Sequence, residues 1–269
     1  MRVQDLMDTN YPFIYSDELA TKARAVLRER GLRVLPVLDE NKRVVGMISR
    51  SEVMTITSSV STIRVKGVMS TPPLTVTPDM EIVKTLREMI RTDQWYVPVV
   101  KSSQDQSYVG VLGLEHFILK ALEKEVARLN LPLSEVMSTK LLTCSRDDET
   151  DNVWQMMKKR SFAACPVVEN GRPVGMVAQQ DLLESGSLLP TFEDQKGRFK
   201  SPTKISSVMK TSVASLKPTD TLKDAAILLL ERNIGRVLIV DNRDELVGIV
   251  DREDIVKALI KKREKSRKK

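Results

Sequence analysis

The stretch LVGIVDRED, residues 246–254, recurs in altered form at three earlier places in the chain. In every copy a glycine follows a short apolar run, and the ninth position holds Glu, His, Asp and Asp in chain order. The other copies are VVGMISRSE (44–52), YVGVLGLEH (108–116) and PVGMVAQQD (173–181). Self-similarity at a nearly fixed spacing is the signature of a repeated structural unit. The stretch therefore predicts a protein built from four copies of one unit.

A methionine near the start of each unit gives the repeat a second marker. The glycine of the quoted stretch lies 38 to 41 residues after this methionine in all four copies. The marker methionines are Met7, Met69, Met137 and Met209. The two markers together set one register for the whole chain and predict units of about 60 to 70 residues.

The hydrophobic pattern within a unit predicts two helices and three strands. An extended segment such as 72–78 precedes a helix, as in 79–91, whose apolar residues fall at helical spacing. Asp79 is the expected N-cap of that helix. Two strands around a polar turn follow, as in 34–49, and a second helix such as 114–129 closes the unit. The predicted order is β-α-β-β-α, and the fold class is α/β.

Composition indicates a globular protein without a zinc cluster or a disulfide framework. Of the 269 residues, 41% are hydrophobic and 29% are charged. The longest apolar runs, such as 225–230, are too short to span a bilayer, and the start of the chain lacks a secretory pattern. We therefore expect a cytoplasmic protein. Cys144 and Cys165 are the only cysteines and His116 is the only histidine, so no metal site is expected and both cysteines should be buried.

One unit of this size exposes an apolar face that it cannot cover alone, so we expect the units to pack in pairs. Polar, turn-rich segments at 55–63 and 185–202 join the first copy to the second and the third to the fourth. The predicted modules are 1–130, with repeats at 1–57 and 63–130, and 131–262, with repeats at 131–187 and 203–262. The basic tail 263–269 carries much of the net charge of +7 and is expected to be a solvated arm.

Three motifs of the unit, considered together, resemble a known family. They read Val-x-x-Val-Met, Leu-Pro-Val-Val-Asp and Val-Gly-Ile-Ile-Ser/Thr-x-x-Asp, with departures in individual copies, and resemble the cystathionine-β-synthase (CBS) domain. The resemblance covers nearly the whole chain in four copies. It implies that two CBS repeats pair into a Bateman module and that two modules can form a flat disc, as in the γ subunit of AMP-activated protein kinase. It also implies that clefts between paired repeats bind adenine nucleotides or S-adenosyl compounds.

The last position of the quoted stretch is the candidate ribose-binding position. It holds Glu52, His116, Asp181 and Asp254 in the four copies. The resemblance implies that an acid here contacts ribose, since a carboxylate can accept hydrogen bonds from both hydroxyls of the diol. Asp254, Asp181 and Glu52 are therefore predicted to bind ribose, and the second copy is predicted to be a degenerate site. The alternative is that these residues only cap a helix, which stabilises by about 1 kcal/mol without a ligand.

Arginines near the same stretch are candidate phosphate ligands. Arg50 and Arg252 lie two residues before the terminal acid, and Arg236 matches the family's arginine before the second strand. A planar guanidinium suits bidentate contact with phosphate, although each of these arginines could instead be a solvated surface charge. Arg33 lies one residue off this register and is expected to point elsewhere.

The resemblance also implies that the early extended segments hold the nucleobase, largely through backbone groups. The candidate residues of this base pocket are Thr143, Val213, Ala214 and Ser215. Which unit's segment faces which acid is left open by the sequence.

The sequence predicts a regulatory protein that is not an enzyme and needs no cofactor. It holds no GxGxxG, P-loop, CxxC or GxSxG motif. The expected ligand is an adenine nucleotide, AMP, ADP or ATP, bound chiefly by the C-terminal module. The alternatives are an S-adenosyl compound, a scaffold that binds no ligand, and a nucleic-acid binder that uses the tail. Scarce aromatics disfavour nucleic acid, no membrane contact is expected, and a protein partner or a homo-oligomer is left open.

Overall fold

The computed structural model of the chain contains the four repeats in the predicted order. It describes residues 1–54, 56, 61–160, 162–185 and 202–261. Most of the two predicted linkers and the whole predicted tail 263–269 lie outside the described residues.

The first repeat holds β1 (Ile14–Tyr15), α1 (Ala20–Glu29), β2 (Val34–Leu38), β3 (Val44–Ser49) and α2 (Arg50–Val53), and the second holds α3 (Ile82–Arg91), β4 (Tyr96–Val100), β5 (Tyr108–Gly113) and α4 (Leu114–Glu123). The third repeat holds α5 (Thr150–Lys159), β6 (Ala164–Glu169), β7 (Arg172–Ala178) and α6 (Gln179–Ser185). The fourth holds β8 (Ser215–Leu216), α7 (Leu222–Glu231), β9 (Arg236–Val240), β10 (Leu246–Asp251) and α8 (Arg252–Ile260). The predicted α/β class and unit order are confirmed.

The first strand of each unit is its weakest element. In the first and fourth repeats it pairs in parallel with the second strand over two residues, β1 with β2 and β8 with β9. In the second and third repeats it shrinks to single bridges, Val76 with Val99 and Cys144 with Val167. The second and third strands of every unit form a regular antiparallel hairpin.

Two predicted helix ends are wrong. Helix α3 begins at Ile82, and its N-cap is Glu81, whose carboxylate accepts from the backbone N–H groups of Val83 at 2.9 Å and Lys84 at 3.0 Å. Asp79 instead accepts a hydrogen bond from the hydroxyl of Thr77. The predicted helix 114–129 ends at Glu123, because the chain then enters the left-handed region at Glu125, with φ 46°.

Backbone bridges hold the repeats together in pairs. The residue after each marker methionine pairs with the residue after the marker glycine of the partner repeat. The four antiparallel bridges are Asp8 with Val111, Met47 with Ser70, Ser138 with Ile249, and Met176 with Lys210. The first and second repeats are thus paired with each other, as are the third and fourth, in agreement with two Bateman modules. The division at residue 130 stays a prediction.

The same contact explains why both sequence markers are needed. A side chain at Gly46, Gly175 or Gly248 would place its first carbon 2.6 to 2.9 Å from the sulfur of the partner repeat's marker methionine. At Gly110 that carbon would lie 2.5 Å from the carbonyl oxygen of Asp8. Since nonbonded carbon contacts are optimal near 3.5 to 4.0 Å, glycine allows the close approach on which the pairing depends.

The hydrophobic core crosses between the two modules. One cluster joins the second and fourth repeats and includes Leu86 and Leu229, both fully buried. The other joins the first and third repeats and includes Leu27 and Val167. Both cysteines are buried in this second cluster, as expected. The modules therefore share their cores, and the space left at their centre is enclosed by all four repeats.

Candidate functional site

The last residue of the quoted stretch caps the closing helix in every repeat. Its side chain accepts a hydrogen bond from the backbone N–H three residues earlier. The bonds are Ser49 to Glu52 at 2.5 Å, Gly113 to His116 at 3.2 Å, Ala178 to Asp181 at 2.7 Å and Asp251 to Asp254 at 3.1 Å. In the three acids this bond uses one carboxylate oxygen, so a cap and a ligand contact are compatible at the same residue.

Asp181 lies in a cavity of about 410 Å³ formed by the third and fourth repeats together with the other module. Its side chain is 4% exposed, and its second oxygen lies 2.9 Å from Nζ of Lys210. The early segment of the fourth repeat, with Ser212, Val213 and Ala214, forms the facing wall. A carboxylate at a helix start and an extended backbone segment thus face each other across the space.

Basic side chains dominate the remaining wall of this cavity. They are Arg30, Arg33, Arg50, Arg232 and Arg236. Besides Asp181, the carboxylates on the wall are Glu115 and Glu184. We call these five arginines the arginine cluster. Because guanidinium groups pair with phosphate in a planar, bidentate way, the cluster suits a ligand that carries phosphate.

Asp254 lies in a smaller cavity of about 280 Å³, lined on the facing side by Ser138 and Lys140–Leu142 of the third repeat. Burial, reinforced by the negative charge of Asp251, raises the pKa of Asp254 to about 7, and the nearby charge of Lys257 opposes this shift. Part of the Asp254 population therefore carries a proton at neutral pH.

Glu52 lies in a third cavity of about 490 Å³, which the first and second repeats form with parts of the other module. Its Oε1 accepts a hydrogen bond from the hydroxyl of Ser70 at 3.0 Å. Pro72 and Pro73 of the second repeat's early segment line the facing wall. The early segment of one repeat thus faces the acid of its partner in all three cavities, which answers the question that the sequence left open.

Tyr11 takes the place of residues that line the cavities in the other repeats. It lies four residues after its marker methionine, where the other repeats place the cavity-lining residues Pro73, Leu141 and Val213. Tyr11 is 7% exposed and borders the 410 Å³ cavity, and its hydroxyl donates to the carbonyl oxygen of Val34 at 3.0 Å. Burial raises the pKa of its phenol, so the ring stays neutral. His116 lines none of the three cavities, and the degenerate site expected in this copy stays a prediction.

The three predicted phosphate ligands occupy different surroundings. Arg236 borders all three cavities and is 10% exposed, with Asp251 3.9 Å away. Arg50 borders the two larger cavities, but it also donates to the carbonyl oxygens of Gly31 at 2.6 Å and Leu32 at 2.7 Å, beyond the end of α1.

Arg252 borders none of the three cavities. It is buried behind the wall, where it donates to the hydroxyl of Tyr96 at 3.0 Å and to Oδ1 of Asn233 at 3.3 Å, and it forms an ion pair with Glu115 at 3.3 Å. The structure thus gives Arg252 a contact between modules and no direct path to a ligand.

Two of the four residues predicted for the base pocket border a cavity. Val213 and Ala214 line the cavity that contains Asp181. The structure does not bring Thr143 or Ser215 to any of the three cavities, and both are exposed. The lining residues lie three to five positions after the marker methionine, and the sixth position already begins the first strand, as Ser215 does.

Sequence reasoning missed two residues of the central region, Arg33 and Glu115. The guanidinium of Arg33 lies 4.7 Å from the ring centroid of Trp95 in the second repeat, which turns Arg33 toward the cavities. Such a cation–π contact is typical of arginine. Each of these residues contacts a repeat other than its own, Arg33 the second and Glu115 the fourth. No pattern of neighbouring residues in the sequence therefore indicates their position.

The described residues contain no group of three or more His, Cys, Asp and Glu side chains arranged to hold a metal ion. Over the same part of the chain, no helix has the length and apolar character that crossing a membrane requires.

The matches to known proteins agree with this geometry. Four stretches, 3–58, 65–123, 133–187 and 205–261, match the CBS domain. The chain therefore belongs to the CBS domain family. Pairs of these domains are typically regulatory and bind adenosine-containing ligands.

Relatives and solved structures extend the likeness over the whole chain. Protein MJ1225 of Methanocaldococcus jannaschii is 23% identical over 265 residues, covering 91% of this chain and 93% of that protein. Its crystal structure, described as that of a proposed archaeal homologue of g-AMPK, matches with a TM-score of 0.83 and 19% identity, covering 96% of this chain and 99% of that one. A conserved protein from Pyrococcus horikoshii matches with a TM-score of 0.67 and 20% identity, covering 96% and 100%. These structures share the fold.

A further relative is longer than this chain. Protein MJ1404 of Methanocaldococcus jannaschii is 26% identical over 204 residues, which cover 75% of this chain and 44% of that protein. The chain thus spans less than half the length of this relative.

Proposed function

We propose that this chain is a regulatory protein, not an enzyme, that binds an adenosine-containing ligand in clefts between paired CBS repeats. An adenine nucleotide, AMP, ADP or ATP, is the favoured class, and the C-terminal module supplies the main sites with Asp181 and Asp254. The observation that carries the proposal is the 410 Å³ cavity. There a capping carboxylate, an extended segment of the partner repeat and the arginine cluster meet around a space of the size that small-molecule sites have.

Each part of this cavity suits one part of a nucleotide. The Asp181 carboxylate can accept hydrogen bonds from the ribose hydroxyls, and the backbone at Val213 and Ala214 can hold the base. The arginine cluster and the exposed Lys210 suit the phosphates. The cationic wall favours a nucleotide over S-adenosylmethionine, whose sulfonium is positively charged.

Regulation would follow from the position of the cavity between modules. A ligand there touches the third and fourth repeats through Asp181 and Val213, and the first repeat through Arg33. It would change the packing of the modules only if it bound one arrangement better than another. A protein partner would then bind the altered surface with a different affinity.

The Asp181→Ala variant tests the ribose contact. At about 100 times its dissociation constant, the ligand should raise the stability of the wild type by about 2.7 kcal/mol. We expect Asp181→Ala to lose most of this gain because the ribose loses its acceptor. Calorimetric titration and thermal shift with AMP, ADP, ATP, NAD and S-adenosylmethionine would measure it.

The matched control is His116→Ala. Both variants remove a cap of the closing helix, worth about 1 kcal/mol, but His116 lines none of the three cavities. His116→Ala should therefore keep the full ligand effect. No gain with any compound in the wild type would favour the ligand-free scaffold, in which all four residues serve only as caps.

Binding at Asp254 should depend on pH. Ribose hydroxyls donate to the charged carboxylate, and the raised pKa of Asp254, about 7, means that this form is depleted below neutrality. The affinity for adenosine should therefore rise about tenfold from pH 6 to pH 8 and then level off. Adenosine is the probe because it has no phosphate that titrates in this range.

This titration is best made in an Asp181→Asn/Glu52→Gln background, which leaves Asp254 as the one candidate ribose-binding carboxylate that is unchanged. Adding Asp254→Asn should abolish the pH dependence. An affinity for adenosine that is constant from pH 6 to pH 8, or that falls, would contradict a ribose contact by the Asp254 carboxylate.

A further inference from the structure

We propose that Glu115 sets the charge selectivity of the 410 Å³ cavity by placing a carboxylate beside the arginine cluster, so that ligands with fewer phosphate charges are favoured. This inference rests on the proposed function, because it names the ligands that the same cavity prefers. It assigns a role to Glu115, a residue of the second repeat that borders this cavity.

Glu115 is fixed by a buried contact between the modules. It is the second residue of α4, and its Oε2 lies 3.3 Å from Nη1 of Arg252. The same Nη1 donates to the hydroxyl of Tyr96 at 3.0 Å, and Nη2 donates to Asn233 at 3.3 Å. Among the described residues, Glu115 is the carboxylate that pairs with Arg252. Since a buried charge needs a partner, Arg252 holds the carboxylate in place.

The two charges of this pair are not equally close to a ligand. Glu115 borders the cavity and is 19% exposed, whereas the Arg252 side chain is 4% exposed and borders none of the three cavities. A phosphate at the arginine cluster therefore meets the negative member of the pair first. Like charges about 10 Å apart, at an effective dielectric constant of about 20, repel enough to weaken binding by about tenfold in total when a phosphate comes this close to Glu115, and by less when the phosphate stays farther away.

The equivalent positions of the other repeats do not supply such a charge to this cavity. They hold Ser51, Gln180 and Glu253. Glu253 borders the two other cavities, where it pairs with Nζ of Lys257 at 2.6 Å. Asp181 and Glu184 of the third repeat also lie on the wall of this cavity, and Glu115 adds a carboxylate from the second repeat, across the contact between modules.

The test compares Glu115→Gln with the wild type by calorimetric titration of adenosine, AMP, ATP and inorganic pyrophosphate. We expect Glu115→Gln to bind ATP and pyrophosphate about tenfold more tightly, AMP by a smaller factor, and adenosine unchanged. The matched control is Glu184→Gln, which removes one negative charge from the same cavity at an exposed residue. It should shift these affinities by less than about twofold, because solvent screens an exposed charge.

Several outcomes would overturn the inference. One is an equal gain in affinity in Glu115→Gln and Glu184→Gln, and another is an equal gain in affinity for adenosine and for ATP. The inference also fails if Glu115→Gln gains no affinity for pyrophosphate, or if neither the wild type nor Glu115→Gln binds any anion. Pyrophosphate separates the two proposals, since its tighter binding to Glu115→Gln would support the role of Glu115 even if no adenosine compound bound. If Glu115→Gln folds poorly, the double variant Glu115→Gln/Arg252→Gln removes both buried charges. Its gain for ATP should be smaller than in the single variant, because the positive charge of Arg252 is lost as well, but still present, because Glu115 lies nearer the cavity.

Discussion

Replacing Tyr11 by alanine should lower the free energy of unfolding by about 3 to 5 kcal/mol, the range for removing a large buried aromatic side chain. Tyr11 is 7% exposed, and its ring lies 6.0 Å from that of Tyr96 in the second repeat. The substitution removes the ring from the wall of the 410 Å³ cavity and leaves a void beside Tyr96. Chemical denaturation, followed by circular dichroism, would measure the loss.

Tyr11→Phe is the control for this prediction. It keeps the ring and removes only the hydroxyl that donates to the carbonyl oxygen of Val34 at 3.0 Å, so it should lower the free energy of unfolding by about 1 kcal/mol. If Tyr11→Ala lowered it by no more than Tyr11→Phe does, the ring would not fill a space that the fold needs filled.

Arg252→Met should lower the free energy of unfolding by about 3 kcal/mol, because it leaves the carboxylate of Glu115 without its ion-pair partner. Breaking a buried pair by removing one member typically costs about 3 to 5 kcal/mol, and the 19% exposure of Glu115 places this case at the lower end. Methionine fills much of the space left by the arginine stem, so the loss measures the charge more than the volume.

The double variant Glu115→Gln/Arg252→Met should recover part of this loss, with a coupling energy of about 1 to 2 kcal/mol in a double-mutant cycle. Arg91→Met provides the comparison, since Arg91 pairs with Glu88 at 2.7 Å but its side chain is 70% exposed. Arg91→Met should lower the free energy of unfolding by less than about 1 kcal/mol, as expected for an ion pair at the surface. Strictly additive losses in the cycle would mean that Glu115 and Arg252 do not interact.

The sequence was sufficient to predict the repeat, because the features that define it are required by short-range geometry. The marker glycine has to admit the partner's methionine, as at Gly248 with Met137, where a first side-chain carbon would lie 2.6 Å from the sulfur. The helix caps at Asp181 and Asp254 bind a backbone group only three residues away. Contacts of this kind leave a regular trace in the chain, so register, fold class and the candidate acids could be found by alignment alone.

The side chains that surround the central cavities could not be predicted in the same way. Arg252 occupies a position that suits a phosphate ligand, yet it pairs with Glu115, which is more than a hundred residues away along the chain. Arg33 is one residue off register, and its contact with Trp95 in another repeat turns it inward. Only the packing of one module on the other decides these neighbours, and no local pattern encodes that packing.

Tyr11 is an intermediate case, because its position follows from the register but its effect does not. The alignment places it with Val213, Leu141 and Pro73. The alignment does not predict which way a large side chain at this position points, and that direction decides whether the ring borders a ligand pocket or occupies it. In this chain it goes inward, and its hydroxyl finds an acceptor on the first repeat's own β2.

The bridge that joins Asp8 to Val111 has a consequence for how such proteins diversify. This bridge is made by backbone atoms, and it joins a repeat whose quoted stretch ends in His116 in place of an acid. The backbone contact between paired repeats therefore does not depend on a carboxylate at that position. A repeat can exchange the acid for another capping side chain, as His116 shows by accepting from the backbone N–H of Gly113 at 3.2 Å, and still keep its place in the fold.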